Sequence, residues 1–200
     1  MLEKLQATKT VIGGKDCDAV TQTPPDKSTF HIGENIIVTA LHTPCHTKDS
    51  ICYYLEDDKS EEKTTGESPP GQFVRRAVFT GDTLFIGGCG KFFEGTPSQM
   101  QVALNQTLSS LPDSTVIFPG HEYTKSNVKF LEKVDPDNEQ VQWLKRFADE
   151  NQVTTGKTNM GQEKEWNVFM RVGEDGIKKL TGEKEPAEVM GKLREMKNSM

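Results

Sequence analysis

Core-forming side chains are scarce in this chain. Apolar residues fill 34% of its 200 positions, and counting its 17 glycines brings the share to about 42%, under the ~45–50% of an ordinary globular domain. Mean hydropathy is −0.62. The longest apolar stretches, such as 36–41, fall far short of the ~20 residues that span a bilayer. Residues 1–10 lack the apolar centre of a signal peptide. No membrane partner is therefore expected. The four cysteines (Cys17, Cys45, Cys52, Cys89) are too few and too scattered for a disulfide framework, and none forms a C-x-x-C pair. A reduced, cytoplasmic setting follows, with a mitochondrial one left open. Basic residues are in deficit, 24 against 30 acidic, which argues against a nucleic-acid partner.

The charge is unevenly placed. The whole net charge of −6 lies in residues 1–123, while residues 124–200 hold acidic and basic groups in equal number. That split suggests two regions with different jobs. Short β-branched runs dominate the first: Thr10 to Gly14, two candidates between Phe30 and Leu41, Ser50 to Leu55, Phe73 to Thr80, and Val116 to Phe118. Residues 1–9 read as a frayed helix end, and residues 56–72, acidic and without an apolar side chain, as a long loop. Helical signals follow. Thr96-Pro97-Ser98-Gln99 is a capping box with proline at the first helical position, and Met100, Ala103, Leu104, Leu108 and Leu111 continue at helical spacing. Further helices are expected over 124–134, from Asp137 with Gln140, and from Pro186. Strands first and helices after predict a mixed α/β body followed by a helical unit.

One pattern occurs three times. An apolar strand ends, a small or turn-forming residue follows, and then a side chain able to bind metal. The three instances lead to His46, to Asp82 and to His121. If the strand ends gather at one rim, two imidazoles and a carboxylate meet there, a reasonable donor set for Zn²⁺ or Fe²⁺. His31 and His42 fall outside the pattern and read as structural or solvated. Cys45 and Cys52 read as small packing residues.

The segments Thr43-Pro44-Cys45-His46-Thr47, Phe79-Thr80-Gly81-Asp82-Thr83-Leu84-Phe85, Gly88-Cys89-Gly90-Lys91-Phe92-Phe93-Glu94-Gly95 and Pro119-Gly120-His121-Glu122-Tyr123-Thr124 closely resemble glyoxalase II, the hydroxyacylglutathione hydrolases of the metallo-β-lactamase superfamily. Asn167 to Val172, with Val168 where proline is usual, and Leu193-Arg194-Glu195-Met196-Lys197 are similar to that family's C-terminal region. The resemblance implies an α/β, αββα sandwich over residues 1–123, then a helical glutathione-binding domain over 124–200. It implies hydrolysis of S-D-lactoylglutathione to D-lactate and glutathione, with two zinc ions, iron or manganese being alternatives. His46, Asp82 and His121 would be metal ligands. Lys91, Phe92, Phe93, His121, Glu122, Tyr123, Arg194 and Lys197 would meet the substrate. Arg194 and Lys197 are three apart, so one helix face would present two cations to an anion. Residues 90–93 and this pair favour glyoxalase II over an iron-dependent persulfide dioxygenase of the same superfamily. Phe93 stands where tyrosine is common.

The family's T-H-x-H-x-D-H motif has no counterpart among the 200 residues, and neither H-x-H nor D-H occurs in them. The resemblance then implies an N-terminally incomplete sandwich with an exposed apolar sheet face or open edge, and impaired hydrolysis. The alternative is a non-catalytic binder of glutathione conjugates, or a partner subunit of the same descent.

Overall fold

The computed structural model describes residues 10–58 and 75–200. Five strands form one sheet in the order β1 (Thr29–Ile32), β2 (Ile36–His42), β3 (Ile51–Asp57), β4 (Arg76–Gly81), β7 (Val116–Pro119). The first four pair antiparallel, while β4 and β7 run parallel, with Val78 beside Ile117. A parallel pair needs a crossover. This one contains the two-stranded hairpin β5 (Leu84–Phe85) and β6 (Gly88–Cys89), then α1 (Pro97–Val102).

The alternation of β-branched and polar residues gives the sheet two unlike faces. Leu41, Cys52, Val78 and Ile117 share one face and merge into the helical core with Met100, Leu104, Leu108, Phe130 and Phe169. On the other, Phe79 is 45% exposed and stacks on Phe118 at 5.0 Å, while Val38 and Ala40 are buried.

Beyond β7 the described chain is helical: α2 (Thr124–Val134), α3 (Glu139–Glu150), α4 (Met160–Trp166), a 3₁₀ turn Val168–Met170, α5 (Asp175–Thr181) and α6 (Pro186–Asn198). The Thr96 capping box forms as its sequence dictates. The helix after it does not run evenly to Leu111. It widens into a π turn at Ala103–Thr107 and tightens into a 3₁₀ turn at Leu108–Ser110, which keeps Leu104 and Leu108 buried.

Other expectations need adjustment. Glu56 and Asp57 belong to β3 rather than to a loop, because Glu56 pairs across the sheet with Arg76 at 2.8 Å. The rest of that loop, 59–72, and the helix end at 1–9 lie outside the described residues. Within 10–14 only Ile12 makes a bridge, to Gln22, since the glycines that follow supply no side chain to continue a ladder. α3 is capped by Asn138, whose side chain accepts from the Gln140 and Val141 amides, and not by Asp137.

Candidate active site

The three strand ends do gather at one rim. His46 follows β2, Asp82 follows β4 and His121 follows β7. Both imidazole Nε2 atoms lie 3.4 Å from Asp82 Oδ2. The Lys91 carbonyl stands 2.9 Å from His46 Nδ1 and can only accept, so Nδ1 carries a proton and Nε2 is left to face the carboxylate. Two electron-rich atoms facing each other at this distance call for a cation between them, a proton or a metal ion. The three side chains are of types that bind zinc or iron. Among the described residues, however, no set of three or more His, Cys, Asp or Glu is disposed to hold a metal ion.

The backbone around Asp82 is tightly packed. A Cβ on Gly90 would lie 1.9 Å from the Asp82 carbonyl oxygen and 3.0 Å from His46 Nδ1, so only glycine permits this approach. Beneath, the Thr43 hydroxyl bonds Thr83 (3.1 Å) and Cys52 (3.2 Å). The Cys45, Cys52 and Cys89 thiols are each pushed up to about 11, chiefly by burial, which makes them inert packing groups at neutral pH. His42 bonds the Pro24 carbonyl at 2.8 Å and His31 is exposed.

Aromatic rings flank the imidazoles. Phe93, 69% exposed, lies 5.0 Å from the His46 ring, and Tyr123 stacks on His121 at 5.0 Å while touching Phe85 edge-on. Phe92 packs against the core and Lys91 is exposed. Glu122 turns elsewhere. Its carboxylate accepts from the Thr154 and Thr155 amides (2.9 and 3.0 Å), from both their hydroxyls, and from the Thr124 hydroxyl. Partial burial pushes its pKa up, but these bonds outweigh that and hold it down to about 2. Glu122 thus ties the loop bearing His121 and Tyr123 to residues 154–155, partners that sequence reading did not find.

Arg194 and Lys197 come together on one face of α6. Arg194 Nη1 donates to the Cys89 carbonyl (3.1 Å), and its guanidinium carbon sits 5.7 Å from the Phe169 ring centre. Lys197 Nζ donates to Asn127 Oδ1 and lies 5.8 Å from the centres of both Phe130 and Phe169. Among the described residues no carboxylate pairs with either cation, and Arg194 Nε is buried without a partner. Burial, aided by Arg194, pushes the Lys197 pKa down to about 8 against the opposing pull of Cys89. Cys89, which Arg194 holds, lies two residues along the chain from Lys91, whose carbonyl bonds His46.

Comparison with known proteins accords with this geometry. Residues 122–200 match the family model "Hydroxyacylglutathione hydrolase C-terminus". A Schizosaccharomyces pombe protein named as a probable hydroxyacylglutathione hydrolase is 49% identical over 94% of this chain and 67% of its own length. The cytoplasmic isozyme of that enzyme from Saccharomyces cerevisiae is 40% identical over 95% of this chain and 69% of its own, and a mitochondrial enzyme from the same yeast also matches. Among solved structures, a metallo-β-lactamase from Staphylococcus aureus superposes with a TM-score of 0.52 at 22% identity, covering 93% of this chain and 42% of that one, a likeness of fold. The chain belongs to the hydroxyacylglutathione hydrolase (glyoxalase II) family.

Proposed function

We propose that this site hydrolyses the thioester of S-(2-hydroxyacyl)glutathione, S-D-lactoylglutathione in particular, to D-lactate and glutathione, as in methylglyoxal detoxification. The observation that carries the reading is the pair of buried Arg194 and half-buried Lys197, with no carboxylate partner among the described residues. Burying unpaired charge is costly, and a glutathione carboxylate would relieve that cost. Arg194 and Lys197 take that carboxylate, and Lys91, exposed nearby, meets a second. Phe92, Phe93 and Tyr123 line the approach toward the imidazoles, and Glu122 holds the Tyr123 loop in place.

His46, Asp82 and His121 would supply donors to zinc, with iron and manganese suited to the same donors. When bound, the ion supplies a nucleophilic water near neutral pH and polarises the thioester carbonyl. The Lys91 carbonyl keeps the proton on His46 Nδ1, so that Nε2 stays a donor to metal. The sulfur of glutathione leaves as a thiolate, so no strong general acid is required.

The test is thiol release from S-D-lactoylglutathione by zinc-reconstituted protein. Saturable turnover that His121→Ala removes is expected. Folded, zinc-loaded protein that releases no thiol would contradict the reading.

A further inference from the structure

The six residues from Leu84 to Cys89 join Asp82 to Lys91, and their backbone is held by side chains far away in sequence. Asn127 Nδ2 donates to the Ile86 carbonyl (2.8 Å). The Gly87 amide donates to both Glu163 carboxylate oxygens (3.0 and 3.2 Å). Asn167 Nδ2 donates to the Gly88 carbonyl (3.1 Å), and Arg194 to the Cys89 carbonyl. Four consecutive residues are thus each tied by a different side chain. Gly87 sits at φ +70°, and a Cβ there would press on Leu131 and Leu144 at 3.1 Å, so the turn also seats directly on α2 and α3.

Glu163 is the centre of this grip. It is fully buried, and every partner it has is a donor: the Gly87 amide, the Trp166 indole (2.8 Å) and the Asn167 amide (2.8 Å). Three donors need an acceptor, and an ionised carboxylate is the one side chain that accepts without donating. Burial nevertheless pushes its pKa up to about 7, in spite of those three bonds. A buried charge held at such cost in a helix that needs none for its own capping points to a role outside that helix.

We propose that Glu163 is a positioning residue for the active site: by fixing the Gly87 turn it sets where the hairpin ends, and so where the Lys91 carbonyl holds the His46 ring and where Cys89 meets Arg194. The hairpin couples the helical region to the imidazole rim. The binding arm of this inference rests on the glutathione reading above; its structural arms do not.

The test uses E163Q and E163D in the full chain, read by nuclear magnetic resonance and by glutathione titration. Glutamine keeps the shape but turns an N–H₂ against a donor. With the fold retained by circular dichroism, E163Q should speed Gly87 amide exchange by about tenfold or more. It should also shift the His46 Nδ1–H signal and weaken glutathione binding about tenfold. E163D keeps the acceptor charge with a reach one methylene shorter, and should give the same changes at smaller size, which keeps the proposal testable if E163Q does not fold. His46 signals and affinity within twofold of wild type in the folded variants would overturn it, even if thermal stability falls. If wild type binds no glutathione, the functional reading fails, and the Gly87 and His46 signals still decide the role of Glu163.

Discussion

The cation pair is partly inside the fold, with Arg194 buried and Lys197 half-buried, whereas the imidazole rim lies nearer the surface. Arg194 is 7% exposed and is braced by Phe169 and the Cys89 carbonyl. The His121 side chain is 52% exposed and that of Asp82 27%. The difference is chemically sensible. Gripping an anion benefits from removal of water, since charge-assisted bonds strengthen as the local dielectric falls. The reacting end must stay open to admit a thioester and a water molecule. On the proposed reading, affinity rests on the cation pair and chemistry is hung from three strand ends.

Removing the buried guanidinium should break this comparison most severely. R194M should weaken glutathione binding thirty- to hundredfold by calorimetry, about 2–3 kcal/mol, as expected for one partner of a buried charge pair. Weakening of less than threefold would mean that Arg194 serves packing alone.

Next comes the pH dependence set by Lys197. Its pKa is pushed down to about 8 in the folded protein, chiefly by burial. Above that value the lysine loses its proton and its hold on an anion. Glutathione affinity should fall by up to about tenfold per pH unit above 8, and K197M should abolish that slope. The sign for stability is opposite. Between about 8 and the ordinary lysine range the unfolded chain binds more protons than the folded one, so this group makes the fold more stable as pH rises. Affinity and melting temperature should then move in opposite directions over the same window.

A smaller effect is expected at Glu122, whose pKa is held down to about 2. Its stabilisation is complete above the ordinary carboxylate range and is lost as pH falls through about 2. Discounted for exposure, E122Q should cost about 1 kcal/mol at neutral pH in denaturant unfolding. That loss should vanish at the acid end of the titration. The smallest change should come from F93Y, which adds a hydroxyl to an exposed ring beside His46. A gain of about 0.5–1 kcal/mol in glutathione-thioester affinity is expected, the net worth of one hydrogen bond.

The parts of this architecture with a strong local code were plain in the sequence. The β-branched run at 36–41, the capping box at Thr96, the helix over 124–134 and the proline start at 186 each announce themselves within a few residues. The gathering of His46, Asp82 and His121 did too, because each comes within a few residues of the end of an apolar strand. What escaped has no local signature. β5 and β6 are two residues each, too short for any period to show. α4 and α5 are polar and seven residues long, below the length at which a hydrophobic stripe stands out. Glu163 is, in the sequence, one more acidic residue in a polar stretch. Only the turn of a hairpin 76 residues earlier makes it a buried acceptor. Asn127 offered a faint clue, as a poor helix former in a helix interior. The Thr154-Thr155 pair offered none, since its partner lies more than 30 residues upstream.

Calorimetric titration of glutathione into wild type and the R194M/K197M double variant at pH 7 tests the account most directly. Saturable binding by wild type, weakened at least thirtyfold in a variant that keeps its helical spectrum, is the predicted result. Equal affinity in the two proteins would contradict it.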